Sequence, residues 1–148
     1  MTATARPRRA PSRRTRRTAC VVYAVLLSVG THWPGLAIDA EAARPDLVVH
    51  MLAFGALTSL LVWSGWFGAV HSRRNAAGAI LVATLYAIVD EASQAVPALR
   101  RHASWDDLAA NALGVAAAGA VALALSRPRA CGAPVEPRTP HPSPGESP

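Results

Sequence analysis

The sequence predicts an all-α protein, an integral membrane bundle of four transmembrane helices with both termini in the cytoplasm (N-in/C-in). Three observations predict it. Four apolar segments, roughly 19–36, 47–66, 76–97 and 105–125, each approach the twenty or so helical residues that cross about 30 Å of hydrocarbon at 1.5 Å per residue. All fifteen basic residues are arginine, and twelve of them fall on one side of a bundle that starts inside. The polar residues within the apolar segments gather at the helix ends that would face outward. Ionised groups in hydrocarbon cost roughly 2.5 to 3.5 kcal/mol each even on the lenient insertion scale, so a short chain that keeps them has a use for them.

At 148 residues the chain has room for one domain. Residues 6–17 carry seven arginines, and the stretch from Arg127 is rich in proline. Neither can bury enough apolar surface to offset the entropy of ordering it. The expected organisation is a disordered basic tail over 1–18, a four-helix membrane domain over 19–126 and a disordered proline-rich tail over 127–148, both tails cytoplasmic. A sequence pI near 10.9 alone would raise nucleic-acid binding. The basic run leads directly into ACVVYAVLLSVG, however, and a polybasic segment flanking an apolar span sets membrane orientation and touches anionic lipid. The expected partners are membrane lipids and not nucleic acid, and the expected location is the cell membrane, crossed several times. Cys20 and Cys131 are too far apart in context to imply a disulfide framework or a metal pair, and Cys20 reads as a packed or lipid-facing thiol.

The first segment also has the look of a secretory signal, with a basic flank, an apolar stretch and the small-x-small run Ala40-Glu41-Ala42. Cleavage there would take one helix from a compact bundle, and the reading adopted retains it. The second segment starts at Pro45, suited to a first helical position, followed by Asp46 and then His50 one turn on. The third acquires Asp90, Glu91 and Gln94 near its end and stops at Pro97. After Arg100 and Arg101, the fourth restarts at Ser104, and Ser104-x-x-Asp107 is a capping-box variant. That helix continues through Asn111 to Gly114 and Ala118, small residues that let a neighbour approach closely. Aromatics support the orientation: Tyr23, Trp63 and Trp66 fall at inner ends, Trp33 and Trp105 at outer ones.

Counting from the ends, His50, Glu91 and Asn111 sit roughly 5 to 10 Å below the outer interface. Asp46 with His50 and Asp107 with Asn111 are spaced i,i+4, and Glu91 with Gln94 i,i+3, so each pair shares a helix face that should point inward. Several of these residues also have plain structural roles. Asp46 and Asp107 suit the positive ends of helices, and Asn111 and Gln94 suit interhelical hydrogen bonding. Asp90 is expected to point partly away, toward the interface, and His32 to be a helix-end residue. Glu91 and His50 have fewer harmless explanations and are, with Asp107, the candidates for proton chemistry. Arg101 can face lipid phosphate or pair with Glu91 or Asp107. A zinc site would need three or four converging ligands, which nothing in the spacing of Asp46, His50 and Glu91 demands, so no metal or cofactor is expected.

The run DLVVHMLAF from Asp46 to Phe54, DEASQAVP from Asp90 to Pro97, then Arg101, Ser104 and DLAANALG from Asp107 to Gly114 resembles the VanZ-like membrane proteins. These are small multi-helix proteins named for an accessory component of glycopeptide resistance that lowers teicoplanin susceptibility. The resemblance covers about residues 45–120. Where the family commonly has Asp-Lys ahead of the histidine, this chain has Asp46-Leu47, which leaves Arg101 to supply a cation. The convergence of the polar ends on the outer face, together with the resemblance, leads to the expectation of an accessory envelope protein whose outer pocket of Asp46, His50, Glu91, Gln94, Arg101, Asp107 and Asn111 binds an envelope lipid, a lipid-linked cell-wall precursor or a lipoglycopeptide. The alternative is an intramembrane enzyme acting on such a lipid, with Glu91 or His50 as general acid and base. Against the enzyme, Ser93 and Ser104 lack an adjacent base pattern. A third reading has the polar cluster only joining the helices, although interhelical hydrogen bonds average only about 0.6 kcal/mol.

Overall fold

A computed structural model describes residues 10–33, 44–96 and 103–126. These form four α-helices, with no strand among the described residues: α1 (Arg13–Thr31), α2 (Pro45–Ser64), α3 (Arg73–Gln94) and α4 (Trp105–Ala124). Three of the four start on a serine whose hydroxyl accepts an orphan backbone N–H: Ser12 from Thr15, Ser72 from Asn75 and Ser104 from Asp107. The Ser104 cap is the one expected from its spacing to Asp107. α2 instead begins on Pro45 after Arg44, whose φ of 41° is left-handed, and ends on Gly65 at φ 65°, where a missing Cβ removes the steric penalty.

The helices run up, down, up and down. Arg16 Nη1 of α1 donates to Trp63 O near the end of α2, while His50 near the start of α2 bonds Asn111 near the start of α4. One end of the bundle, here called basal, therefore holds the start of α1 and α3 and the end of α2 and α4. The apical end holds the reverse. α2 is central, touching all three other helices and packing most extensively on α4. Phe54, Leu57 and Leu61 of α2, Val115 of α4 and Cys20 of α1 fill the core against Ala79, Ala83 and Ala87, an alanine face on α3. The Gly114 seam works as anticipated from its small size: an added Cβ there would lie 2.9 Å from Met51 C and 3.0 Å from Gly55 N, so the two backbones touch. The hydroxyls within the apolar α2 satisfy themselves, with Thr58 donating to Phe54 O and Ser59 to Gly55 O.

α2, α3 and α4 are each long and apolar enough to cross a membrane. α1 differs from the expected span in where it begins. The basic tail was expected to run unordered to residue 18, but the helix starts at Arg13, taking in Arg14, Arg16 and Arg17. Arginine is a good helix former, Ser12 caps the turn, and the guanidinium groups of Arg16 and Arg17 bond the carbonyls of Trp63 and Gly65, where α2 has its negative end. Arg17 also lies 5.9 Å from the Trp66 ring centroid. The apolar part of α1, Thr18–Thr31, is then 14 helical residues long, about 21 Å at 1.5 Å per residue. The expected proline stop at Pro97, the small-x-small run at 40–42 and the tail 127–148 lie outside the described residues.

Candidate functional site

The apical end carries the polar residues, in two adjoining networks. The first joins α2, α3 and α4. Asn111 is fully buried, and its Oδ1 accepts from His50 Nδ1 at 3.0 Å. An amide oxygen can only accept, so this orientation puts the His50 proton on Nδ1 and leaves Nε2 as an acceptor in the neutral ring. Glu91 is 5% exposed, and its Oε1 accepts the Ser104 backbone N–H, the first orphan donor at the start of α4. Ser104 in turn caps Asp107, so Glu91, Ser104 and Asp107 form one continuous step between α3 and α4. Glu91 lies within coulombic reach of Asp107, His50 and Asp90.

This first network is incomplete. Glu91 Oε2, Asp107 Oδ1 and Asn111 Nδ2 are buried and have no hydrogen-bond partner among the described residues. A buried polar group left unpaired costs about 1–3 kcal/mol, more when charged, so three in one cluster at the end of a bundle call for an explanation. Two are acceptors and one is a donor. Asp107 and His50 are half-buried, less covered than Glu91 and Asn111.

The second network ties α1 to α3, and reading the sequence missed it. Asp90 does not point out toward the interface as expected: it is 4% exposed, its Oδ1 accepting from Thr31 Oγ1 at 2.8 Å and its Oδ2 from Gln94 Nε2 at 3.2 Å. The physical reason is α1, whose last turn covers this side of α3 and offers hydroxyl and imidazole donors. His32 is accordingly more than a helix end. Its Nδ1 donates to Ser28 O at 2.8 Å and stands 3.7 Å from Asp90 Oδ1, while its Nε2 lies 2.7 Å from Ser93 Oγ. Ser93 thus has a base beside it after all, supplied from 61 residues away. Its single proton is shared in choice with Asp90 O, 2.6 Å distant.

Of the residues expected to form the pocket, His50, Glu91, Asp107 and Asn111 come together. Gln94 is buried at the same level but bonds Asp90 instead of extending the Glu91 face. Asp46 is half-buried at the start of α2 and makes no hydrogen bond among the described residues, so His50 is oriented by Asn111 and not by Asp46. Arg101, expected at the rim, lies outside the described residues, as does Arg100. The nearest described cation is Arg44, which bonds Asp106 Oδ2 at 2.7 Å on the surface; this hydrogen bond, and then the carboxylate charge, hold its guanidinium pKa above the ordinary value. Among the described residues no group of three or more His, Cys, Asp or Glu side chains converges to hold a metal ion. Asn75, at the basal end, is a further buried polar residue that reading the sequence did not single out. It accepts from Phe67 N and donates to Val62 O, holding the α2–α3 turn.

A shallow groove of about 290 Å³ runs between α2 and α4 at the apical end, with Arg44 and Asp106 at its lip and Leu47, Met51 and Leu113 along its floor. No known protein family, curated protein or solved structure matches this chain.

Proposed function

We propose that this chain is a four-span membrane protein of the cell envelope, N-in and C-in, whose apical pocket binds the polar head of an envelope lipid or lipoglycopeptide. In this reading it is a VanZ-like accessory factor that lowers susceptibility to teicoplanin-type glycopeptides. The carrying observation is the set of unpartnered buried atoms, Glu91 Oε2, Asp107 Oδ1 and Asn111 Nδ2, which a bound head group would satisfy. A separate apolar groove between α2 and α4, edged by Arg44 and Asp106, has the form of a seat for an acyl or polyprenyl chain.

Membrane insertion of all four helices is supported by their outer faces. Val25 and Leu26 of α1 are 56% and 63% exposed, as bare as Leu52 of α2, Leu81 of α3 and Leu113 of α4. Apolar surface of that extent on every helix is not left to water. The short apolar length of α1 is accommodated by its basal arginines, whose long stems reach the interface. Orientation follows from the arginine asymmetry along the chain. Single cysteines in a Cys20→Ser, Cys131→Ser background test it: Ser72→Cys should be reached by an impermeant maleimide only from the cytoplasmic side, and Ser104→Cys only from outside. Labelling of both from one side overturns the bundle.

Expression in a susceptible host is expected to raise teicoplanin tolerance more than vancomycin tolerance, and Glu91→Ala to abolish the gain at unchanged protein level. Unaltered susceptibility with the wild-type chain refutes the proposal.

A further inference from the structure

The chemistry of the unpartnered atoms narrows what the pocket accepts. The inference rests on the binding reading above and goes one step further, to the class of head group. Glu91 Oε2 and Asp107 Oδ1 are carboxylate oxygens that need donors, and Asn111 Nδ2 is a donor that needs an acceptor. Asn111 is 0% exposed and Glu91 5%, so water outside the bundle does not serve them. Among the described residues no arginine bonds either carboxylate: Arg16 and Arg17 are engaged at the basal end and Arg44 is paired with Asp106. The two remaining groups nearby are already committed, since Asp90 is held by Thr31 and Gln94, and His50 gives its Nδ1 proton to Asn111.

A head group that ends in phosphate would place negative charge beside two carboxyl groups and bring no N–H donor. A quaternary ammonium would bring charge but no N–H. A primary ammonium brings positive charge with three N–H donors, enough for both carboxylate oxygens. We infer that the pocket formed by Glu91, Asp107 and Asn111 takes a primary ammonium group, with Asn111 Nδ2 donating to an oxygen on the carbon chain that bears the nitrogen. An ethanolamine head group presents both features.

The test uses the full chain, purified from membranes and exchanged into vesicles of equal phosphatidylethanolamine, phosphatidylcholine and phosphatidylglycerol. Retained lipids are then counted by native mass spectrometry. Phosphatidylcholine is the sharp control, because it differs from phosphatidylethanolamine in lacking the N–H donors. A parallel arm offers dodecylamine, an ammonium without phosphate, as competitor. Retention of phosphatidylethanolamine at least tenfold above the other two lipids is expected, displaced by dodecylamine and lost in both Glu91→Gln and Asp107→Asn. Each variant is scored only where Cys20 stays closed to maleimide, which certifies the bundle; Asp107 is half-buried, so its variant is available if Glu91→Gln does not fold.

Equal Glu91-dependent retention of phosphatidylcholine, or preference for phosphatidylglycerol, overturns the ammonium assignment and leaves the binding reading in place. Retention of every lipid unchanged by both substitutions overturns the two together.

Discussion

Gly114→Ala is the substitution through which packing and site can be tested at once. The new methyl carbon would enter the van der Waals surface of Met51 O and lie 2.9 Å from Met51 C and 3.0 Å from Gly55 N. All three are backbone atoms, so no side chain can swing aside. Ordinary carbon contacts are about 3.5 to 4.0 Å, so α2 and α4 have to part by roughly 0.5 to 1 Å. Overpacking of this kind costs typically about 1 to 3 kcal/mol, and a rigid backbone obstacle puts it toward the top of that range. Alanine returns about 1 kcal/mol through helix propensity. The net loss is about 1 to 2 kcal/mol, a factor of roughly 5 to 30 in the folded-to-unfolded ratio. His50 precedes Met51 and Asn111 lies one turn from Gly114, so the same separation stretches their 3.0 Å hydrogen bond toward the limit of usefulness.

The assay is unfolding in detergent micelles followed by circular dichroism, with two matched glycines as controls. Gly55→Ala meets Gly114 O at 3.4 Å and should be nearly neutral; Gly30→Ala meets nothing within 4 Å and should stabilise by about 0.4 to 1 kcal/mol. A Gly114→Ala protein as stable as the wild type, or a series in any other order, would show that α2 and α4 do not touch backbone to backbone.

Three more perturbations test the remaining contacts. In a Cys131→Ser background, Arg16→Ala with Arg17→Ala should speed maleimide labelling of Cys20, now 1% exposed, because α1 loses its hold on the α2 carbonyls; an unchanged rate removes that clamp from the account. Thr31→Val should destabilise by about 1 to 3 kcal/mol by taking the hydroxyl donor from Asp90 Oδ1, and a double-mutant cycle with Asp90→Asn should give a coupling of at least about 0.5 kcal/mol; strict additivity would deny the α1–α3 network. Asp106→Asn should leave the unfolding midpoint at the wild-type value despite the 2.7 Å ion pair, since both partners are more than half exposed; a clear drop in the midpoint would mean the pair is shielded.

The parts that could be read from the sequence are those fixed by local spacing. The four apolar runs, the serine cap at Ser104, the glycine seam at Gly114 and the shared level of His50, Glu91 and Asn111 each follow from three or four residues on one helix. What escaped the sequence depends on which helix lies beside which. Ser93 has no histidine within its own turn, and its neighbour His32 comes from α1, so no short motif could pair them. Asp90 reads as turned toward the interface for the same reason, because its donor Thr31 is 59 positions away. The early start of α1 was hidden by composition: a run of arginines reads as a solvated tail until a helix end with bare carbonyls is placed next to it.

The bonds around Thr31 also bear on how the newly made chain can be processed. Tyr86 donates to Ala24 O, Tyr23 to Ala53 O and Thr31 to Asp90, so α1 is fastened along its length to both α2 and α3. A peptidase that clipped this helix off as a leader would leave a carboxylate without its hydroxyl, a tyrosine without its carbonyl and a trench where Cys20 had been. The remaining three helices would then have to recruit lipid or a second copy to close the wound, and maturation by cutting would come at the cost of the fold it released.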